Sequence, residues 1–192
     1  MLQNYTRLHE QAMRQHGPMH AKRFYVAGVL STGSWGNQAM ALLSHLILAM
    51  QSGRALVYDG WLSGFDFPVD LDHTHMPEPY LSQLTGPPSS WSGSRSESWT
   101  DREQAYCGKY LPNSNEAVFV WRSGMGFGAP EVGAVASNPH LRKWFDDNLG
   151  SAGLRLLVRW FFRPARRLLT TVARMEQDMC GIQGCDIGIH IR

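Results

Sequence analysis

Between Arg23 and Asp59 the apolar positions change period twice. "RFYVAGVL" (Arg23 to Leu30) is a β-branched and aromatic run that closes on turn residues, and it predicts a buried strand. The loop "STGSWGNQ" follows. Ala39, Leu43, Leu46 and Met50 then recur at helical spacing, which predicts a helix over Asn37 to Gln51 with one face packed inward. "SGRALVYDG" stops that helix at Gly53 and begins a second strand, Ala55 to Asp59. Strand, glycine loop, helix, strand is a βαβ unit, and a parallel sheet follows from it.

Elsewhere the pattern is less even. The opening "MLQNYTRLHEQAMRQHG" is polar and helical in character. Residues 60 to 115 lack a clear period, and "GPPSSWSGSRSESWTDRE" within them reads as a long surface loop. "AVFVW" (Ala117 to Trp121) resumes the sheet, and "RSGMGFGAPEVGAVASNP" is a glycine-rich connection whose "GMGFG" is too weak a signal to carry a ligand. From Pro139 three helical segments follow, "HLRKWFDDNL", "LRLLVRWFF" and "ARRLLTTVARMEQDM", broken by Gly150 and Pro164. The last segment, "DIGIHIR" (Asp186 to Arg192), alternates Ile187, Ile189 and Ile191 and reads as a strand. The organisation predicted is an α/β, Rossmann-like domain over residues 1–185, with long loops at 60–115 and a helical C-terminal part. Residues 186–192 are expected to form the first strand of a second domain.

Composition narrows the function classes. A chain of 192 residues with seven Trp has room for one ordinary domain with a sizeable core. Eighteen Lys and Arg against sixteen Asp and Glu leave no global field to recruit nucleic acid. The longest apolar stretch, "AMALLSHLILAM", falls short of the roughly 20 residues that cross a bilayer, and the N-terminus lacks the apolar segment of a signal peptide. Of the three cysteines, Cys180 and Cys185 are close enough in sequence to bridge across a turn at Gly181 and Gly184, leaving Cys107 over; the alternative pairings stay open.

Chemistry concentrates at two places. In "TGSWGNQ", Gly33 and Gly36 between a strand and a helix let backbone N–H groups approach an anion at the positive end of that helix. It is neither a G-x-G-x-x-G fingerprint nor a P-loop, and on composition alone a tight turn with an Asn cap is the simpler reading. His190 and Arg192 share one face of the final strand, whose carboxyl end in an α/β sheet opens on the ligand crevice. Arg192 offers a fork of donors suited to a diphosphate. Two rival signals are weaker. Asp70, Asp72, His73 and His75 in "DLDHTH" offer zinc-type ligands, the basis of an alternative reading as a metal-dependent hydrolase, but the flanking "GFDFP" and "MPEP" favour a loop. Arg155, Arg159, Arg163, Arg166, Arg167 and Arg174 line the C-terminal helices and read most simply as a solvated face.

Taken together, the "GNQ" loop opening a helix, the "GR-x-L" turn into a strand and the downstream strand "IGIHIR" resemble the GT-B fucosyltransferase superfamily. That superfamily includes the alpha-1,6-fucosyltransferases, the protein O-fucosyltransferases and the plant xyloglucan fucosyltransferases. There the last motif commonly continues as H-x-R-R-x-D or H-x-R-x-G-D, so the chain reads as an N-terminal fragment of such an enzyme. The stretch from Leu154 to Asp178 also resembles the helical segment that precedes this motif in the alpha-1,6 enzymes. The resemblance implies inverting, metal-independent transfer of fucose from GDP-fucose to a glycan or glycoprotein hydroxyl, with no cofactor beyond the donor. By position, Arg192 would bind the diphosphate and offset charge on departing GDP, His190 would hold the nucleotide beside it, and Gly33, Gly36 and Asn37 would face the same cleft. Gln38 matches the motif but is expected to pack. The resemblance further implies a Golgi or secretory-pathway lumen, with any membrane anchor in a missing N-terminal segment. A non-catalytic truncated homologue acting as a binding module is the alternative.

Overall fold

The computed structural model of the chain describes residues 1–14, 23–27, 35–58, 64–84, 117–121 and 138–180. In chain order these hold α1 (Leu2–Arg14), β1 (Phe24–Ala27), α2 (Trp35–Ser52), β2 (Ala55–Tyr58), β3 (Phe65–Asp66), a single 3-10 turn (His73–His75), α3 (Glu78–Leu81), β4 (Val118–Trp121), α4 (Pro139–Asn148), α5 (Gly150–Phe161), β5 (Arg163–Pro164) and α6 (Arg166–Cys180).

β1 is the centre of a three-stranded sheet in the order β2-β1-β4, and both pairings are parallel. Phe24 lies beside Ala55 and Val118, so the pleat sends one residue set to each face. Tyr25, Ala27, Leu56, Tyr58 and Phe119 enter the apolar cluster that holds α2. Phe24, Val26, Ala55, Val57, Val118 and Val120 enter a second cluster with Met76, Tyr80 and Ala12. A parallel sheet buried on both faces explains why its strands read as continuous apolar runs. The mixed α/β architecture is compatible with a Rossmann-like fold.

The expected βαβ unit is present with shifted bounds. β1 is shorter at its start than the expected Arg23 to Leu30, and residues 28–30 lie outside the described residues. α2 begins at Trp35 rather than Asn37. It ends as expected at Gly53, where φ is +66°, with Gly53 N–H donating to Met50 O and Arg54 N–H to Ala49 O. That is a Schellman stop, which glycine accommodates without strain. The expectation of one packed face on α2 is corrected: every residue from Leu42 to Met50 is buried. The helix is covered on both sides, because its apolar cluster also takes in Phe145 of α4 and Leu157 and Phe161 of α5.

The outer edge of β2 is sealed rather than left open. Leu56 N–H donates to the Tyr5 hydroxyl at 3.0 Å, and His9 Nε2 donates to Leu56 O at 2.7 Å, both from one face of α1. Two residues on, Tyr58 N–H donates to Leu71 O at 2.7 Å. Side chains and a short chain segment thus do the work of a further strand.

Of the stretch expected as long loops at 60–115, residues 64–84 are described and hold short elements, while "GPPSSWSGSRSESWTDRE" lies outside the described residues. Among residues 64–84, β3 pairs antiparallel with β5, Phe65 beside Pro164 and Asp66 beside Arg163. Pro164 therefore lies within a two-residue edge strand, as well as breaking a helix. Phe67 packs tilted against Phe161 at 5.0 Å between centroids and Phe65 meets Phe162 edge to face at 5.4 Å, which ties this segment to the end of α5. Among the described residues, no helix is long and apolar enough to cross a membrane.

Candidate functional site at the carboxyl edge of the sheet

Two residues separate the end of α2 from β2, so the C-terminus of α2 lies at the amino edge of the sheet. Its 18 residues extend about 27 Å, about twice the length of a four-residue strand. The amino end of α2 therefore lies past the carboxyl edge, where open parallel sheets receive ligands. Gly36 and Asn37 occupy the first turn there. Gly36 is exposed, and a β-carbon added to it would meet nothing within 4 Å. Among the described residues, packing does not demand glycine at 36. Gln38 is half-buried, in keeping with a packing role.

Of the other site residues, Gly33, His190 and Arg192 lie outside the described residues, as do strand 186–192, Cys107 and Cys185. The structure thus brings Gly36 and Asn37 together on one turn at the expected edge and does not bear on their meeting with His190 or Arg192.

The bridge between Tyr58 and Asp72 brings the "DLDHTH" segment to the carboxyl end of β2. It is a loop and 3-10 turn, as its flanks predict. Asp72 caps the turn, accepting from Thr74 N–H at 2.9 Å and from the Thr74 hydroxyl at 2.6 Å, and these bonds hold its carboxyl below the usual range. His75 Nδ1 donates to Asp70 at 2.8 Å, which raises its pKa, while its Nε2 faces Asp72 at 3.8 Å. Each ring nitrogen faces a different carboxylate, so the donors do not converge on one point. Among the described residues no group of three or more His, Cys, Asp or Glu could hold a metal ion.

The fold also buries polar residues that the periodicity did not single out. His45, inside α2, is hydrogen-bonded through Nδ1 to the Tyr25 hydroxyl at 2.9 Å, and burial pushes its pKa down to about 3. Burial likewise lowers His9, against the opposing effect of its bond to Leu56, and raises the Tyr5 phenol. Arg54 is wholly buried at the opposite, amino edge, where Nη1 donates to Phe24 O at 3.4 Å and Ala117 O at 3.5 Å. The "GR-x-L" turn that contributes to the family resemblance thus contains an arginine that ties strand starts together, at the edge opposite the amino end of α2. The spacing of Tyr5, His9 and Ala12 at i, i+4 and i+7 marks the buried face of α1, although it does not reveal what that face would bond.

Comparison with protein-family models and with curated proteins finds no match for this chain.

Proposed function

We propose that this chain is the first, Rossmann-like domain of a GT-B glycosyltransferase that transfers fucose from GDP-fucose to a hydroxyl of a glycan or glycoprotein, with inversion and without a metal ion. The observation that carries the reading is the parallel β1-α2-β2 unit, whose firmly buried helix presents Gly36 and Asn37 in an open first turn at the carboxyl edge of the sheet. Such a fold hosts many activities, so the choice among them rests on the resemblance of the "GNQ" and "IGIHIR" motifs.

In the proposed reaction the acceptor hydroxyl gives its proton to a general base, its oxygen bonds to the anomeric carbon as the bond from that carbon to the diphosphate breaks, and the electron pair leaves with GDP. Arg192 and His190 hold the diphosphate and nucleotide, and the N–H groups around Gly33, Gly36 and Asn37 add their dipoles. Fixed cations and N–H groups aimed at the leaving group are the stabilisation such a step needs. The setting proposed is the Golgi or secretory lumen, with three cysteines compatible with an oxidising compartment.

The test is GDP-fucose turnover by the full-length protein. Arg192→Ala is expected to lower kcat by about 10²–10³-fold, the loss typical of one leaving-charge donor, with an unchanged circular dichroism spectrum. Asn37→Ala is expected to act in the same direction with a smaller effect. Wild-type turnover in the Arg192 variant removes that residue from the site, and wild-type protein that neither binds nor consumes GDP-fucose overturns the reading.

A further inference from the structure

Between Asp147 and Glu176 the chain has no acidic residue, and arginines gather there. Six of the eighteen Lys and Arg fall on that stretch and none of the sixteen Asp and Glu, so a chain of net charge +2 carries +6 there and −4 over the rest. The near-neutral total that argues against a global field thus conceals a local one. Among the described residues, Arg155, Arg159, Arg166, Arg167 and Arg174 are exposed, and their guanidinium groups make no ion pair or hydrogen bond. By contrast, Arg142 and Lys143 of α4 are each paired with an aspartate four residues on. Arg163 stands apart from the group, because its Nε donates to Trp160 O at 3.2 Å and Asp66 lies beside it across the β3 and β5 pair.

A solvated face accounts for the guanidinium groups but not for what stands between them. Seven large apolar side chains are exposed among the described residues, and five of them lie on α5 and α6. On α5 the wholly buried Leu157 and Phe161 fix the inward side. At about 100° per residue, Val158, Arg155, Arg159 and Leu156 then follow one another round the outward side. Two arginines stand at its centre and an aliphatic side chain at each shoulder, Val158 36% and Leu156 59% exposed. The first turns of α6 repeat the pairing: Arg166 and Leu169 are three apart, hence neighbours on the helix surface, and Leu169 is 54% exposed.

Cations flanked by exposed aliphatic groups suit a surface that is anionic outermost and apolar just beneath, which describes the headgroup boundary of a bilayer. A single-stranded nucleic acid is instead met by aromatic side chains on which bases stack, and the seven exposed apolar residues are all Met, Leu or Val. We propose that the outward face of α5 docks on an anionic phospholipid surface. Arg155 and Arg159 meet the headgroup phosphates, Leu156 and Val158 reach the acyl boundary, and the arginines that begin α6 strengthen the local field. The contact is peripheral, since among the described residues no helix is long and apolar enough to cross a membrane.

Co-sedimentation of the full chain with vesicles reads this directly, and it requires no donor sugar, so it tests the face apart from the transferase reading. The expected result is partition to equimolar phosphatidylcholine and phosphatidylserine but not to phosphatidylcholine alone, weakening as salt is raised. Each basic residue near such a surface is worth about fivefold in partition, so Arg155→Ala with Arg159→Ala lowers it on the order of 25-fold, while Arg155→Lys with Arg159→Lys retains it. Leu156→Ser lowers it by about fivefold or more. All three positions are exposed, so the variants keep the wild-type circular dichroism melt. A chain that ignores phosphatidylserine vesicles overturns the proposal, as does partition indifferent to the double alanine variant, which places the contact elsewhere. Binding to heparin as tight as to vesicles, lost with the two arginines but untouched by Leu156→Ser, shows a site for soluble polyanions and overturns the assignment to lipid.

Discussion

Tyr5→Phe deletes one oxygen atom and tests whether α1 seals the sheet. In the wild-type structure that oxygen accepts the Leu56 N–H at 3.0 Å, in a side chain only 5% exposed. The phenylalanine ring fills nearly the same volume, so packing with Trp160, 6.3 Å away between ring centroids, survives. What is lost is the partner of an N–H on the outer edge of β2, which water cannot reach while α1 stays docked. A buried backbone donor left without a partner costs about 1–3 kcal/mol. For a domain of this size each kcal/mol moves the melting temperature by about 2–4 °C, so a fall of roughly 2–12 °C is expected. Two measurements check it: the thermal midpoint, and hydrogen exchange at the Leu56 amide, which loses protection more than the Val57 amide facing β1. His9→Ala removes the donor to the other backbone group of the same residue. Because both substitutions act on Leu56, the double variant departs from additivity by about 0.5 kcal/mol or more. A Tyr5→Phe protein within about 0.5 kcal/mol of wild type, with Leu56 exchange unchanged, refutes the reasoning: the edge would then be satisfied by water, and α1 would be an ornament on it.

Acid is expected to destabilise the fold from the histidine range downward. Burial lowers His45 to about 3 and lowers His9, so the unfolded chain takes up protons below its ordinary value near 6.5 while the folded chain does not. Stability is therefore full above that value and falls with pH, for His45 by up to about 1.4 kcal/mol per unit; denaturant midpoints between neutral pH and pH 5 measure the slope, and a flat profile would contradict it. Arg54→Ala removes a wholly buried side chain and its bonds to Phe24 O and Ala117 O, for a loss on the order of 3 kcal/mol in chemical denaturation; a loss near zero would mean the strand starts hold together without it. Two glycine substitutions should part company in thermal melts. Gly153→Ala brings a β-carbon within 2.5 Å of the Leu149 β-carbon and costs about 1–3 kcal/mol despite alanine's better helix propensity, whereas Gly36→Ala meets open space and is neutral or stabilising by up to about 1 kcal/mol. If the Gly36→Ala protein is equally stable but loses sugar-nucleotide affinity, the glycine is there for the ligand.

How much of this was legible in the sequence depends on the range of the interactions involved. Local ones could be read directly: the strand runs of β1, β2 and β4, the spacing of α2 and its stop at Gly53 depend on neighbours a few residues apart, and these expectations hold to within a few positions. The burial of α2 from Leu42 to Met50 matches "LLSHLILAM", whose apolar residues leave no polar stripe, but the four-residue spacing rule picks out one face and stays silent on a second cover supplied by α4 and α5, a hundred residues later. The β3 and β5 pairing is invisible for the same reason, since two-residue strands carry no period and Pro164 argues against a strand until an edge is available to it. At the candidate site the sequence puts Gly36 in a loop and Asn37 at the cap, whereas the helix starts two residues earlier, at Trp35, and takes both into its first turn. The seal on β2 is different in kind: Tyr5 and His9 are ordinary residues on a polar helix, and only the unsatisfied N–H and C=O of a strand some fifty positions away make their hydroxyl and imidazole necessary. Polar atoms inside a fold are dictated by the backbone groups they must satisfy, which is why they are the part of a structure that pattern reads last and why their removal is the sharper test of it.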